Sequence, residues 1–215
     1  MARSTLFKAR LYGILDLGYC EPKNAESVCE KMIEGGVGVI QLRAKKASLD
    51  EIRDLGAKIL PICRNGGVPF VINDFSEIAT ELKTDGVHVG QDDMAMDGVR
   101  AIVGDEMLVG RSSHSVEQAA LAASDPRTDC IGFGPLFSTP TKPDYTPIGT
   151  KEIHAVHEAH PDLPIFCIGG IKRENVDQVL DAGAKRVVIV SGILQADDIT
   201  AYVRDVCDRL EAVAL

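Results

Sequence analysis

The sequence predicts an α/β protein: a single (β/α)8 TIM barrel spanning residues 1–215. Two observations lead there. Eight short, near-continuous apolar runs alternate with eight amphipathic stretches along the chain, which is the pattern of parallel strands buried on both faces with helices between them. The glycines suited to phosphate come late, after the seventh and eighth runs, where barrels keep a phosphate site. No G-x-G-x-x-G follows the first run, which argues against a doubly wound open sheet. There is no linker, no low-complexity segment and no repeat beyond the βα unit, so one domain is expected.

The units follow in order. Run 11–15 leads to helical periodicity at 24–34, which Gly35 should end. Run 37–42 leads to a helix at 48–64, where Ser48 and Glu51 form a capping box and Gly66 a stop. Runs 69–72, 86–89 and 107–110 lead to helices at 75–83, 94–103 and 115–123. Run 130–133 is followed by a long loop at 134–148 and a helix at 149–159. Run 164–168 leads to a helix at 172–181 with its stop at Gly183, and run 186–190 to a final helix at 197–212.

The composition excludes several function classes. A net charge of −9 speaks against nucleic acid as a partner, because phosphate backbones call for clustered Lys and Arg. No apolar run is long enough to cross a bilayer, and the N-terminus lacks the order of a signal peptide. The six cysteines are scattered with no C-x-x-C pair, as expected for reduced thiols in a cytoplasmic protein rather than a disulfide framework or zinc site. A homo-oligomer is compatible with the composition but not specified by it.

In a barrel, function gathers at the C-terminal ends of the strands. After the second run, Gln41, Arg43 and Lys45 are spaced by two and share one face of an extended chain. That face suits the receipt of an anion. Asn73 and Asp74 follow the third run, and Gly90, Gln91, Asp92 and Asp93 the fourth. Neighbouring strands lie about 5 Å apart. Asp74 and one of the two later aspartates can therefore reach one cation, and carboxylate oxygens suit Mg2+. Spacing alone does not separate Asp92 from Asp93. After the fifth run come Gly110 to Ser115, where Ser115 reads as a helix cap and His114 as structural or catalytic. His88, inside the fourth run, reads as a hydrogen-bonded core residue. The 134–148 loop is long for a compact domain and offers Thr139, Thr141 and Lys142 to phosphate oxygens. Gly169-Gly170 and Val190-Ser191-Gly192 let backbone N–H groups approach a phosphate closely.

Taken together, Gln41-x-Arg43-x-Lys45, Asn73-Asp74, Gly90-Gln91-Asp92-Asp93, Gly110-x-Ser112-x-His114, Thr139-x-Thr141-Lys142, Gly169-Gly170 and Val190-Ser191 resemble the thiamine phosphate synthase family, in order and at matching strand ends. The resemblance implies a cytoplasmic, Mg2+-dependent transferase that joins hydroxymethylpyrimidine pyrophosphate to thiazole phosphate. It implies that Gln41, Arg43, Lys45, Asn73, Ser112 and Lys142 hold the pyrimidine pyrophosphate, with Arg43, Lys45, Ser112 and Lys142 acting in catalysis. It implies that Asp74 and Asp93 bind Mg2+, and that Thr139, Thr141, Gly170, Val190 and Ser191 hold the thiazole phosphate. Ser138 stands where the family commonly has proline, Asp92 where it has glutamate, and Arg111 where it has a small apolar residue. Two rivals fit less of the chain. A related thiazole tautomerase has no need of the metal carboxylates, and a phosphate-binding regulatory barrel leaves the Arg43, Lys45, Asp74 and Asp93 cluster unexplained.

Overall fold

The computed structural model describes residues 2–141 and 145–214. Eight parallel strands close into a barrel in chain order, with the eighth pairing back to the first. They are β1 (Leu11–Asp16), β2 (Val39–Arg43), β3 (Phe70–Asn73), β4 (Gly86–Val89), β5 (Leu108–Ser113), β6 (Cys130–Phe133), β7 (Ile165–Cys167) and β8 (Val187–Ile189). The helices are α1 (Ala2–Lys8), α2 (Ala25–Gly35), α3 (Leu49–Gly66), α4 (Ser76–Leu82), α5 (Met96–Val103), α6 (Val116–Ser124), α7 (Ile153–Ala159), α8 (Val176–Asp181), α9 (Ser191–Leu194) and α10 (Ile199–Glu211). The expected single barrel is thus observed, and each of the eight expected strands is present.

Strand residues alternate between two cores, as a period of two demands. Outward residues such as Leu15, Ile40, Leu42, Ile72 and Val109 pack against the helix layer. Inward residues Tyr12, Ile14, Val39, Val71, Leu108, Cys130, Phe166 and Val188 fill the barrel, with Leu6 and Ala9 joining them from the N-terminal segment. The same parity carries Gln41, Arg43, Asn73 and Ser112 to the mouth of the barrel, further along strands whose lower inward positions are apolar.

Helix α1 was not expected. Its sequence offers only a short apolar signal, and tertiary contacts hold it in place: Leu6 is buried in the barrel interior and Arg3 pairs with Asp129 at 2.6 Å. Helices α7 and α8 begin four residues later than their periodicity suggests. Helices α2 and α3 end at Gly35 and Gly66, and the following Gly36 and Gly67 take the left-handed conformation that closes each one.

The Ser48 capping box forms as expected. The Ser48 hydroxyl accepts from the N–H of Glu51 at 3.3 Å, and the Glu51 carboxylate accepts from the N–H of Ser48 at 2.7 Å. The bonds from Ser48 hold the Glu51 carboxyl below its ordinary value. This contribution to stability is present above the unfolded-state pKa and fades as pH falls through the folded value. Ser48→Ala should cost about 1 kcal/mol in chemical denaturation at neutral pH, and the difference from wild type should shrink at acidic pH.

Candidate active site

A cavity opens at the C-terminal end of the barrel. Gln41, Arg43, Asn73 and Ser112 line one side, and Thr139, Thr141, Gly170, Val190 and Ser191 line the other. A recess beside it is lined by Asp16, Tyr19, Lys45, Lys46 and Thr141, and Arg43 belongs to both. Ten of the expected site residues therefore meet in two adjoining spaces. Lys142 lies outside the described residues.

Arg43 is held by a carboxylate that sequence reasoning did not single out. Asp16 ends β1 directly beside Arg43 in the register and is 2% exposed. Its Oδ2 accepts from Arg43 Nη1 at 2.6 Å, and its Oδ1 accepts from the N–H of Gly18 at 2.9 Å. The only sequence signal was an acidic residue closing an apolar run. In the same loop the Tyr19 hydroxyl shares a 3.1 Å hydrogen bond with Thr141. The loops after β1 and β6 thereby meet over the recess. Gln41 Nε2 donates to the Tyr12 hydroxyl at 2.9 Å inside the barrel, and Tyr12 packs edge-on against Phe166.

The two carboxylate loops converge. Lys45 Nζ forms an ion pair with Asp74, and the Asp74 and Asp93 side chains lie within hydrogen-bonding reach of each other. Burial pushes the Asp74 carboxyl up. Lys45 opposes that shift, and Asp93 adds to it. The Asp74 backbone is left-handed, with φ of 67°. Asp93 accepts from the N–H of Gly90 at 2.7 Å, which turns it back toward the barrel. Asp92 instead accepts from the Tyr145 hydroxyl at 3.4 Å. The turn thus separates two neighbours that spacing left equivalent, and Asp93 is the one that meets Asp74.

His88 belongs to the site rather than to the sealed core. Its ring lines the cavity and its Nε2 lies 3.1 Å from Ser112 Oγ. A Cβ on Gly110 would collide with the His88 ring, and one on Gly132 would contact it. The imidazole therefore occupies space left by inward glycines on β5 and β6. That role depends on the register of three strands, and single-chain patterning does not carry it. His114 Nδ1 is 2.5 Å from the carbonyl oxygen of Gly134, and its ring lies 4.5 Å from that of Tyr145. This geometry ties the start of the β6 loop to the end of β5. His114→Asn should therefore lower activity by less than about tenfold, the scale of one hydrogen bond, in a steady-state assay. Arg111 points outward from β5, opposite in parity to Ser112. Its charge is felt at Asp125, whose carboxyl is drawn down to about 2, chiefly by hydrogen bonds from Arg127. It acts on the helix layer and not on the cavity.

The loops after β6 and β7 pack as one rim. The N–H groups of Leu136 and Phe137 donate to the carbonyls of Ile168 and Gly169 at 2.9 and 3.0 Å. Gly170 has φ of 66°, and a Cβ there would lie 2.7 Å from Phe137 Cβ and 2.8 Å from the Ser138 carbonyl oxygen. Only glycine satisfies both constraints. Thr139 Oγ1 accepts from the N–H of Thr141 at 3.3 Å.

A profile of the family described as thiamine monophosphate synthase matches residues 11–193. The chain belongs to this family. The thiamine-phosphate synthase of Chloroflexus aurantiacus is 39% identical over 196 residues, covering 91% of this chain and 89% of that one. That of Pelotomaculum thermopropionicum is 41% identical over 202 residues, covering 94% and 92%. Among solved structures, the thiamine phosphate pyrophosphorylase of Pyrococcus furiosus superposes with a TM-score of 0.85 at 26% identity, covering 98% of each chain. Membership in the family makes the chain a transferase of thiamine biosynthesis. Among the described residues no helix is long and apolar enough to cross a membrane.

Proposed function

We propose that the chain transfers the 4-amino-2-methylpyrimidin-5-ylmethyl group from its pyrophosphate to the ring nitrogen of thiazole phosphate, giving thiamine phosphate and pyrophosphate. The observation that carries this reading is a cavity lined by Arg43 on one side and by glycine and hydroxyl residues on the other, adjoining a recess that holds Lys45, whose amine pairs with Asp74. Gln41 and Asn73 would bind the pyrimidine end. Arg43, Lys45 and Ser112, together with Lys142, would bind the pyrophosphate. Thr139, Thr141, Gly170, Val190 and Ser191 would hold the phosphate of the thiazole.

Asp74 and Asp93 fit a Mg2+ ion. Two neighbouring carboxylates, Asp74 partly buried, repel each other unless a proton or a cation lies between them. Among the described residues no larger cage of His, Cys, Asp and Glu forms. That suits an ion which takes one or two protein carboxylates and fills its shell with water and substrate phosphate. Bound there, Mg2+ would offset charge gathering on the leaving pyrophosphate.

The residues themselves suit a dissociative path. As the bond to pyrophosphate breaks, a pyrimidine methylene cation forms, and Arg43 and Lys45 stabilise the departing anion. The thiazole nitrogen carries a free lone pair, so no general base is required. What the protein supplies is positioning and exclusion of water from the cation. Six free thiols, five of them buried, suit the reducing cytoplasm in which we place this reaction.

The test is mass spectrometry of the purified chain with both substrates, with Mg2+ or with EDTA. Thiamine phosphate formed only with Mg2+ is the expected result. Equal product in EDTA would overturn the metal assignment, and no product from folded protein would overturn the reaction.

A further inference from the structure

Tyr202 sits on α10, outside the barrel. Its side chain is nevertheless buried, and its hydroxyl lies where two loops meet. The backbone N–H of Arg173, between β7 and α8, donates to it at 2.6 Å. A Cβ on Gly192, in α9 just beyond β8, would stand 2.5 Å from the same oxygen. The second loop therefore reaches Tyr202 only because residue 192 has no side chain. The Arg173 guanidinium lies 5.3 Å from the centroid of the Tyr202 ring, a cation–π distance.

The β7–α8 loop is pinned a second time by Asn175. Its Oδ1 accepts from the N–H of Lys172 at 2.7 Å, and its Nδ2 donates to the carbonyl oxygen of Gly170 at 3.0 Å. Asn175 thus ties the end of the loop back to Gly170 at its start, and Arg173 between them is held by Tyr202, which also abuts the turn bearing Ser191.

We propose that Tyr202 is a positioning residue for the phosphate of the thiazole substrate. Its hydroxyl clamps the loop carrying Gly170 against the turn carrying Ser191, so that both loops face one phosphate. This rests on the assignment of those two loops to phosphate. Preorganised donors lose their effect when displaced by about 1 Å. The hydroxyl accepts a backbone hydrogen bond on the far side of the loops, so it acts through them and not on substrate.

Tyr202→Phe removes the hydroxyl and keeps the ring under Arg173. The expected result is a rise of about tenfold in KM for thiazole phosphate, the scale of one neutral hydrogen bond. The KM for the pyrimidine pyrophosphate and kcat should stay within about threefold. Calorimetric Kd for inorganic phosphate should rise in parallel, and Asn175→Ala should reproduce the pattern. Ser191→Ala reports on the phosphate assignment itself. Equal phosphate affinity in wild type and Ser191→Ala overturns that assignment. Weakening in Ser191→Ala with an unchanged Tyr202→Phe overturns only the clamp. A parallel loss of kcat and of affinity for both substrates in Tyr202→Phe also overturns it, in favour of general loosening of the barrel.

Discussion

Asp93→Ala should lower kcat/KM by about 10²–10³-fold, the scale of losing one preorganised charge-stabilising contact. Asp93 is the partner that brings a second carboxylate to Asp74 and Lys45. Without it Asp74 faces Lys45 alone, and the site loses the paired oxygens that suit a divalent cation. The loss should appear as a weaker apparent affinity for Mg2+ and for the pyrophosphate substrate. Titration of Mg2+ against initial rate checks this. Asp92→Ala is the control, because Asp92 turns toward Tyr145; its effect should be under about threefold. Wild-type rates for Asp93→Ala at saturating Mg2+ would remove Asp93 from the metal site.

Arg43→Ala should damage both folding and catalysis. It leaves Asp16 buried at the end of β1 without its cation; the Asp16 side chain is 3% exposed and that of Arg43 16%. Breaking one side of a buried pair costs about 3 kcal/mol or more. In a chain of this size that is a fall in Tm of roughly 6–12 °C. Asp16→Asn in the same chain removes the stranded charge and should recover part of the Tm. It should not recover activity, because the guanidinium that faces the cavity is still absent. Recovery of both in the double variant would show that Arg43 serves the fold alone.

The barrel was legible because its strands are apolar on both faces and its helices carry their stops. The face presented by Gln41 and Arg43 followed from a spacing of two, and Asn73 from its place just beyond the apolar run of β3. What lay beyond reach depended on pairing between distant segments. Asp16 reads as an ordinary strand terminus until β1 is set beside β2 and Arg43. His88 reads as core until Gly110 and Gly132 are seen to vacate the space that its ring fills. Asp92 and Asp93 are adjacent in one turn, so only the hydrogen bond from Gly90 to Asp93 separates their directions. Helix α1 has little propensity pattern of its own, and it exists by plugging Leu6 into the barrel floor.

Asp74 holds a backbone conformation that few residues other than glycine adopt, at φ of 67°. Such conformations cost about 1 kcal/mol or more and persist where surrounding structure imposes them. Glycine would satisfy the backbone better here and would abolish the carboxylate. Asp74→Gly should therefore trade catalysis for robustness: little turnover, with a melting temperature equal to or above that of the parent. A folded state made more durable by losing its acid would mark position 74 as one kept against the interest of stability.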